Sequence, residues 1–515
     1  MDAIIIGLII CIVIAIYFKS NPMAHSKKFL LRRFINWFPL GMTYAFLYMA
    51  RYNLSVTKNA LGTTMDKESF GLIFGAGTVV YGFSFLLNGP LVDKIGGKKG
   101  MLIAALGSSI ANILMGVVTF LLLKGQIQVK NNLVLIFSIL YSINMFFQSY
   151  GAVSIIKIKS YWFHVRERGL FGAIFGTLIS VGLYLAFGWG QGIADAAVVN
   201  QTHELNFTQK AIRTIFAVDT GTQDAIWLVF FIPAFLLVIW ALLDAWLLAD
   251  TPADANLEDF DTHDASSDEM EKDFTMKELL VKIFTHPVLL TVAAIEFTSG
   301  VLRNGILTWY PIFSKEVPQT GGEFFNVHWG VLITITGVIG GFLAGWLSDH
   351  VFHSRRGPPA AIMNGVMILI TVTMCFALTT SPFIVGACAV LMQLTVIGVH
   401  SIMSGTAGAD FGGRKASATA SGITDGFVYL GTGLQSISLG YLTSKSWQLW
   451  PIFLVPFTII GLVLALRIWK AIPEATRRYL LQVEKISLVI DSDDKLTTIT
   501  TTIETKTEVG ELPSV

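Results

Sequence analysis

The chain has 515 residues, of which 53% are hydrophobic and only 14% charged, with a mean hydropathy of +0.64 and a formal net charge of +1. That apolar excess excludes an ordinary water-soluble domain, and the balanced charge gives no footprint for nucleic acid. The composition fits a bilayer, whose core takes roughly 20 apolar residues to cross at about 1.5 Å per residue.

Apolar stretches follow one another at 3–18, 35–57, 70–92, 101–123, 132–155, 169–193, 226–248, 288–312, 327–348, 360–380, 383–406, 417–441 and 448–470. The leading one has no Lys or Arg before it and no small-residue cleavage site, which predicts an anchor rather than a cleaved signal peptide, an interfacial segment being the alternative. In alternate loops, basic residues gather at 19–33, 94–99, 157–168, 272–282, 355–356 and 414–415 and are sparser in the loops between. Positively charged loops stay in the cytoplasm, so this set and the C-terminus are expected there. Cys11, Cys375 and Cys388 sit in apolar segments without metal-ligand spacing and read as packing residues, and no metal or cofactor is expected.

An Asp/Ser-rich stretch separates six helices from six, which gives five regions. These are an anchor with its basic flank (1–33), a six-helix bundle (34–250), an acidic cytoplasmic linker (251–286), a second six-helix bundle (287–470) and a polar cytoplasmic tail (471–515). The halves echo each other. GPLVDKIGGKKG (Gly89 to Gly100) follows the second main helix and GWLSDHVFHSRRG (Gly345 to Gly357) the eighth, while VRERGLFGAIFG (Val165 to Gly176) pairs with GGRKASATASG (Gly412 to Gly422). Each of the first two is read as a tight glycine turn joining an acid to a basic cluster, which suits a cytoplasmic gate built from Asp93, Arg168, Asp349 and Arg414. Parallel six-helix repeats are the architecture of the major facilitator transporters, whose binding site lies between the halves near the midplane. The expected fold is therefore all-α, two six-helix bundles related by a pseudo-twofold axis plus one extra N-terminal transmembrane segment.

Charges inside such helices are costly enough to mark function. Arg51 in the first main helix and Arg303 in the seventh occupy equivalent positions at similar depth. Two facing guanidiniums repel unless an anion lies between them, and their forked donors match phosphate; snorkelling to the headgroups is the structural alternative. Tyr44 and Tyr48 lie one turn apart, Tyr48 three residues before Arg51, so their hydroxyls either frame the same cavity or merely pack. Glu296, two turns before Arg303, either meets Arg51 or takes up a proton. Asp425 is a second candidate proton carrier, or a local helix-helix hydrogen-bonding group.

Taken together, the chain over 34–470 resembles the organophosphate:phosphate antiporters, which include the glycerol-3-phosphate and hexose-6-phosphate carriers. The resemblance rests on Arg51 with Tyr48, YGFSF–LLNGPLVD (Tyr81 to Asp93), FFQSYG (Phe146 to Gly151), WF–HVRERG (Trp162 to Gly169), LRNGILTWYP (Leu302 to Pro311), GWLSD with RRG, and RKASATASGITDGFVYLGTG (Arg414 to Gly433). It implies that Arg51 and Arg303 hold a substrate phosphate; Gln148, at a matching Gln of the family, either hydrogen-bonds the cargo or joins neighbouring helices. Two positions depart from the family: Phe85 stands where a lysine is often found, and Ile179 where the glycerol-3-phosphate carrier has a histidine. His400 is the residue that would restore a lost charge, a packed core histidine being the alternative. The implied activity is exchange of a phosphate ester for inorganic phosphate by alternating access. No bond is made, so no enzyme is expected, and no GxxxxGK[ST] run supports direct ATP drive. A proton-coupled anion symporter, a sugar-phosphate sensor and a channel remain as alternatives. The expected setting is a monomer in a bacterial inner membrane, with the lipid bilayer and a small anion as its only partners.

Overall fold

The computed structural model describes residues 2–126, 132–164, 167–200, 204–220, 223–262, 281, 285, 287–317, 322–352, 355–407 and 413–471. Helices account for its architecture. The first half comprises α1 (Asp2–Lys19), α2 (Lys27–Leu61), α3 (Lys67–Ile95), α4 (Gly97–Leu123), α5 (Leu133–Trp162), α6 (Arg168–Tyr184), α7 (Gly190–Ala197), α8 (Phe207–Ile215) and α9 (Leu228–Leu247). The second comprises α10 (Pro287–Leu307), α11 (Trp309–Glu316), α12 (Glu323–Val327), α13 (Trp329–Trp346), α14 (Gly357–Ala377), α15 (Pro382–Ala407), α16 (Gly413–Lys445) and α17 (Leu449–Arg467). A π turn over Leu185–Trp189 joins α6 to α7, so these act as one crossing. With the short helices α8, α11 and α12 set aside, each half contributes six long helices among the described residues, and α1 is additional.

The helices start where side chains satisfy their first amides. Ser26 caps α2 by accepting from the Phe29 amide at 3.2 Å, and Asp66 caps α3 by accepting from Ser69 at 2.7 Å. Pro39 and Pro90 sit inside α2 and α3 without ending them. The turn between α3 and α4 is Gly96, at φ 91°, where a Cβ would collide with the Asp250 carboxylate. That carboxylate accepts from the Lys98 amide at 2.7 Å and so ties the end of α9 to the start of α4.

The first repeated motif turns at Gly96 as read, but the acids of the motifs do not lie in tight glycine turns. Asp93 lies within α3, which runs past Pro90 to Ile95, and Asp349 lies in a π turn, Leu347–Val351, that prolongs α13. The glycine-rich sequence extends beyond the turn at Gly96 into the preceding helix, where unmade backbone hydrogen bonds would be expensive and the helix persists.

In α1, Ile4, Leu8, Ile12 and Ile16 are exposed at a spacing of four, one continuous apolar face left for lipid. Its other side packs on α6. The Tyr17 hydroxyl, fully buried, donates to the Leu30 carbonyl at 2.7 Å and accepts from Arg33 Nε at 3.1 Å. Arg33 also forks onto Glu167 with two bonds of 2.9 Å and stacks on Phe163, its Cζ 4.5 Å from the ring centre. Burial would raise the Glu167 carboxyl, but hydrogen bonds from His25 and Arg33 and the Arg33 charge bring it down to about 2.

The bundles meet along two seams. α3 lies against α16 so closely that a Cβ on Gly71 would sit 2.8 Å from the Gly440 Cα, an approach only small residues permit. α6 packs on α13, where Thr334 donates to the Ser180 carbonyl at 2.9 Å. Part of the expected linker (263–280) and most of the tail (472–515) lie outside the described residues.

Candidate substrate site between the bundles

Arg51 is completely buried in α2. Its Nε donates to Gln148 Oε1 at 2.9 Å, Nη1 to the Tyr429 hydroxyl at 2.8 Å and Nη2 to the Tyr81 hydroxyl at 2.7 Å. Tyr48 and Tyr81 also cover the guanidinium, with ring centres 4.6 and 4.5 Å from Cζ. One partner, Tyr429 on α16, belongs to the opposite bundle, so Arg51 is held from both sides.

Arg303, in α10, is only 6% exposed. The same Tyr429 ring lies 5.8 Å from its Cζ and its hydroxyl is near enough to interact with the guanidinium, but Nε and Nη2 are buried and make no hydrogen bond of normal geometry among the described residues. Buried guanidinium donors are rarely left so, because each forfeits its hydration for nothing. Between the arginines the symmetry becomes visible: Tyr52 donates to Asn304 Oδ1 at 3.0 Å, a bond between the residues that immediately follow Arg51 and Arg303. Asn304 in turn donates to Thr432 at 2.9 Å.

The expected residues fall into three groups. Tyr44, Tyr48 and Gln148 surround Arg51, with the Tyr44 and Tyr48 rings in edge contact at 5.3 Å. Glu296 does not meet Arg51; its Oε2 lies 2.7 Å from His400 Nδ1. His400 is therefore engaged with a carboxylate rather than with Arg303, and Asp425 accepts from Ser404 at 2.7 Å. Phe85 packs its ring 4.7 Å from Tyr81 and 5.9 Å from Tyr429, while Ile179 is partly buried.

Of the expected gate, Asp93 is placed: Lys157 reaches it at 3.1 Å, and Thr419 of the second bundle donates its amide at 3.1 Å and its hydroxyl at 2.7 Å. The side chains of Arg168, Asp349 and Arg414 lie outside the described residues. At the opposite end, Glu316 joins the bundles by accepting from Lys58 at 3.1 Å and Lys67 at 2.8 Å, and Lys315 donates to the Asn59 carbonyl at 2.6 Å.

Sequence reasoning missed Tyr81, Tyr429, Tyr52 with Asn304, the Glu316 clasp and the Arg33–Glu167 pair. The two tyrosines stand inside the runs that carry the resemblance, which was the available signal.

Two helical bundles around a buried, partly unsatisfied cationic site define a polytopic membrane carrier. Residues 40–436 match the Major Facilitator Superfamily, and the chain belongs to that family, whose members are transporters rather than enzymes. It is 24% identical over 484 residues to the "Probable hexose phosphate transport protein" of Chlamydia trachomatis, covering 89% of this chain and 96% of that one. It is 25% identical to the "Glycerol-3-phosphate transporter" of Bacillus subtilis, with 88% and 95% covered, and 24% identical to the "Membrane sensor protein UhpC" of Salmonella typhimurium, with 84% and 90% covered. Among solved structures, a bacterial homologue of the lysosomal transporter Spinster, inward-facing, superposes with a TM-score of 0.59 at 17% identity, over 89% of this chain and 99% of that one. That likeness bears on the fold alone.

Proposed function

We propose that the chain carries a small phosphorylated organic anion, a glycerol or sugar phosphate, across the membrane by alternating access, in exchange for inorganic phosphate. The observation that carries this reading is Arg303: two buried, unpartnered guanidinium donors opposite a second arginine whose bonds go to neutral hydroxyl and amide oxygens. A phosphate oxygen would satisfy Arg303 and compete with Tyr429 for Arg51, loosening the bond that ties α2 to α16. Rearrangement of the bundles then follows from a change of partner at one residue.

The clustering of basic residues supports a cytoplasmic C-terminus; in this reading the Glu316 clasp lies on the far side and the described arrangement is closed outward. Asp93 with Arg168, and Asp349 with Arg414, form the cytoplasmic gate in this reading, within a monomer in a bacterial inner membrane. The test is uptake of labelled phosphate into proteoliposomes preloaded with phosphate, glycerol-3-phosphate or glucose-6-phosphate, with Arg51→Lys and Arg303→Lys in parallel. Saturable counterflow abolished in both variants is expected. Binding without movement would make the protein a sensor, and unsaturable flux a channel; either result defeats the carrier reading.

A further inference from the structure

At the end away from the basic clusters the bundles are joined through a carboxylate held between two lysines. Lys58, near the end of α2, reaches Glu316 Oε1 at 3.1 Å, and Lys67, at the start of α3, reaches Oε2 at 2.8 Å. Both lysines belong to the first bundle, and Glu316, the last residue of α11, belongs to the second. One ammonium on each oxygen is the grip that a phosphate group would receive from the same pair. Glu316 thus fills the place of a two-oxygen anion while remaining tethered to the chain.

The surroundings favour an anion there. Lys315 donates across the same seam to the Asn59 carbonyl at 2.6 Å, so three ammonium groups gather about the Glu316 carboxylate. Of the neighbouring acids, Asp66 commits an oxygen to capping α3, Glu68 is exposed and Asp195 lies within electrostatic reach of Lys315. The Trp447 ring covers the Lys67 ammonium at 4.5 Å from the second bundle. The Lys58 and Lys67 side chains are 6% and 17% exposed and that of Glu316 33%, so the carboxylate meets water more freely than the cations it covers. When the bundles part at this end, Glu316 leaves with α11 and both ammonium groups stand at the mouth without their counter-charge. Little-hydrated cations in that state are costly, and an arriving anion removes the cost. Lys58 also follows Arg51 by seven residues on α2, two turns and about 10 Å along nearly the same face. The cations therefore form a line from the mouth to the arginine pair.

We propose that Lys58 and Lys67 form an entry site for the phosphate group at the outer mouth, where the incoming anion displaces Glu316 and then passes two turns along α2 to Arg51. Its ligands are inorganic phosphate and phosphate monoesters, and no covalent bond changes. The same displacement unfastens the bundles, so the cargo favours the opening that admits it. The entry site rests on the carrier reading of the arginine pair, with this end facing outward.

Right-side-out and inside-out membrane vesicles containing the full chain separate the two faces. Uptake of labelled glycerol-3-phosphate is measured against concentration in each, at low and at physiological salt. Lys67→Gln and Glu316→Gln break the same ion pair, so a fastening alone would make them act alike, easing opening and lowering the outside KM in both. An entry site makes them opposite. Lys67→Gln should raise the outside KM about tenfold with little change in kcat and flatten its salt dependence, because the charged mouth no longer concentrates the anion. Glu316→Gln leaves both lysines to the anion and should lower the outside KM. From the inside the two variants should resemble each other, since only the fastening is common to both, and that face also reports whether each protein is folded. Lys58→Gln repeats the comparison if Lys67→Gln does not reach the membrane. Outside KM values that move in the same direction in the lysine and Glu316 variants overturn the entry site and leave the carrier intact. If the unmodified protein moves no anion in either vesicle, the carrier reading falls and the entry site with it.

Discussion

Arg51 and Arg303 occupy equivalent places, yet replacing each by methionine is expected to shift stability by different amounts and even in different directions. Arg51→Met strands the polar ends of Gln148, Tyr81 and Tyr429. Each of these neutral buried groups left without its partner costs about 1–3 kcal/mol. Arg303→Met removes two buried donors that have no acceptor, each a penalty of about 1–3 kcal/mol, while taking a favourable charge from Glu296 and Asp425. The second variant should therefore be near neutral or stabilised, and the two should differ by about 3 kcal/mol or more. Unfolding in detergent without phosphate, followed by the fluorescence of the twelve tryptophans, measures this directly. Adding phosphate or glycerol-3-phosphate at 100 times its Kd should stabilise the unmodified protein by about 2.7 kcal/mol and neither variant. Equal destabilisation by the two substitutions would refute the reasoning, because it would mean that the Arg303 donors are satisfied. Persistent stabilisation by phosphate in both would refute the site.

Two further outcomes follow from charge pairs at opposite ends of the molecule. Glu316→Gln weakens two partly exposed ion pairs, each contributing up to about 1 kcal/mol, so opening at that end should become roughly 5–30 times more favourable. Spin labels at the exposed Thr64 and Glu323 should report a larger long-distance population, and an unchanged distribution would deny Glu316 a role as a clasp. Glu167, held near 2 against an ordinary 4.5, contributes about 3 kcal/mol that is fully present above pH 4.5 and is lost as pH falls toward 2. Glu167→Gln should be less stable at neutral pH and should flatten the stability profile between pH 4.5 and pH 3; parallel profiles would show that the pair does not govern acid sensitivity.

The arginines were legible because a guanidinium in a long apolar stretch has no cheap explanation. Their tyrosines were not, since an aromatic at helical spacing serves packing equally well and only the bundle geometry distinguishes the two. Tyr429 is 378 residues from Arg51, and His400 is 104 from Glu296; such pairs depend on how helices from distant parts of the chain are rotated against each other. Arg33 misled in the opposite sense. It belongs to the basic flank expected in the cytoplasm, yet it is fully buried and bidentate to Glu167, with the Tyr17 hydroxyl of α1 against it. The first repeated motif does turn at Gly96, but the acids of both motifs, Asp93 and Asp349, stand in the helical ends before the turn rather than in it, which glycine content alone does not distinguish.

Nine helices among the described residues are long and apolar enough to cross a membrane. The long helices outside that set include α2, α10 and α16, and these carry Arg51, Glu296, Arg303, Asp425 and Tyr429. The coincidence has a physical cause. A polar side chain facing lipid is expensive, so it is tolerated on helices whose neighbours shield it: α2 is packed by α6 and α9, and α10 by α15, α16 and α17. The lower hydropathy of these spans is thus the signature of a helix lining the carrier's interior. The same shielding gives the charges their leverage. In the proposed mechanism one exchanged partner on Arg51 loosens its bond to Tyr429 across the two bundles, which is what a transporter requires of its cargo.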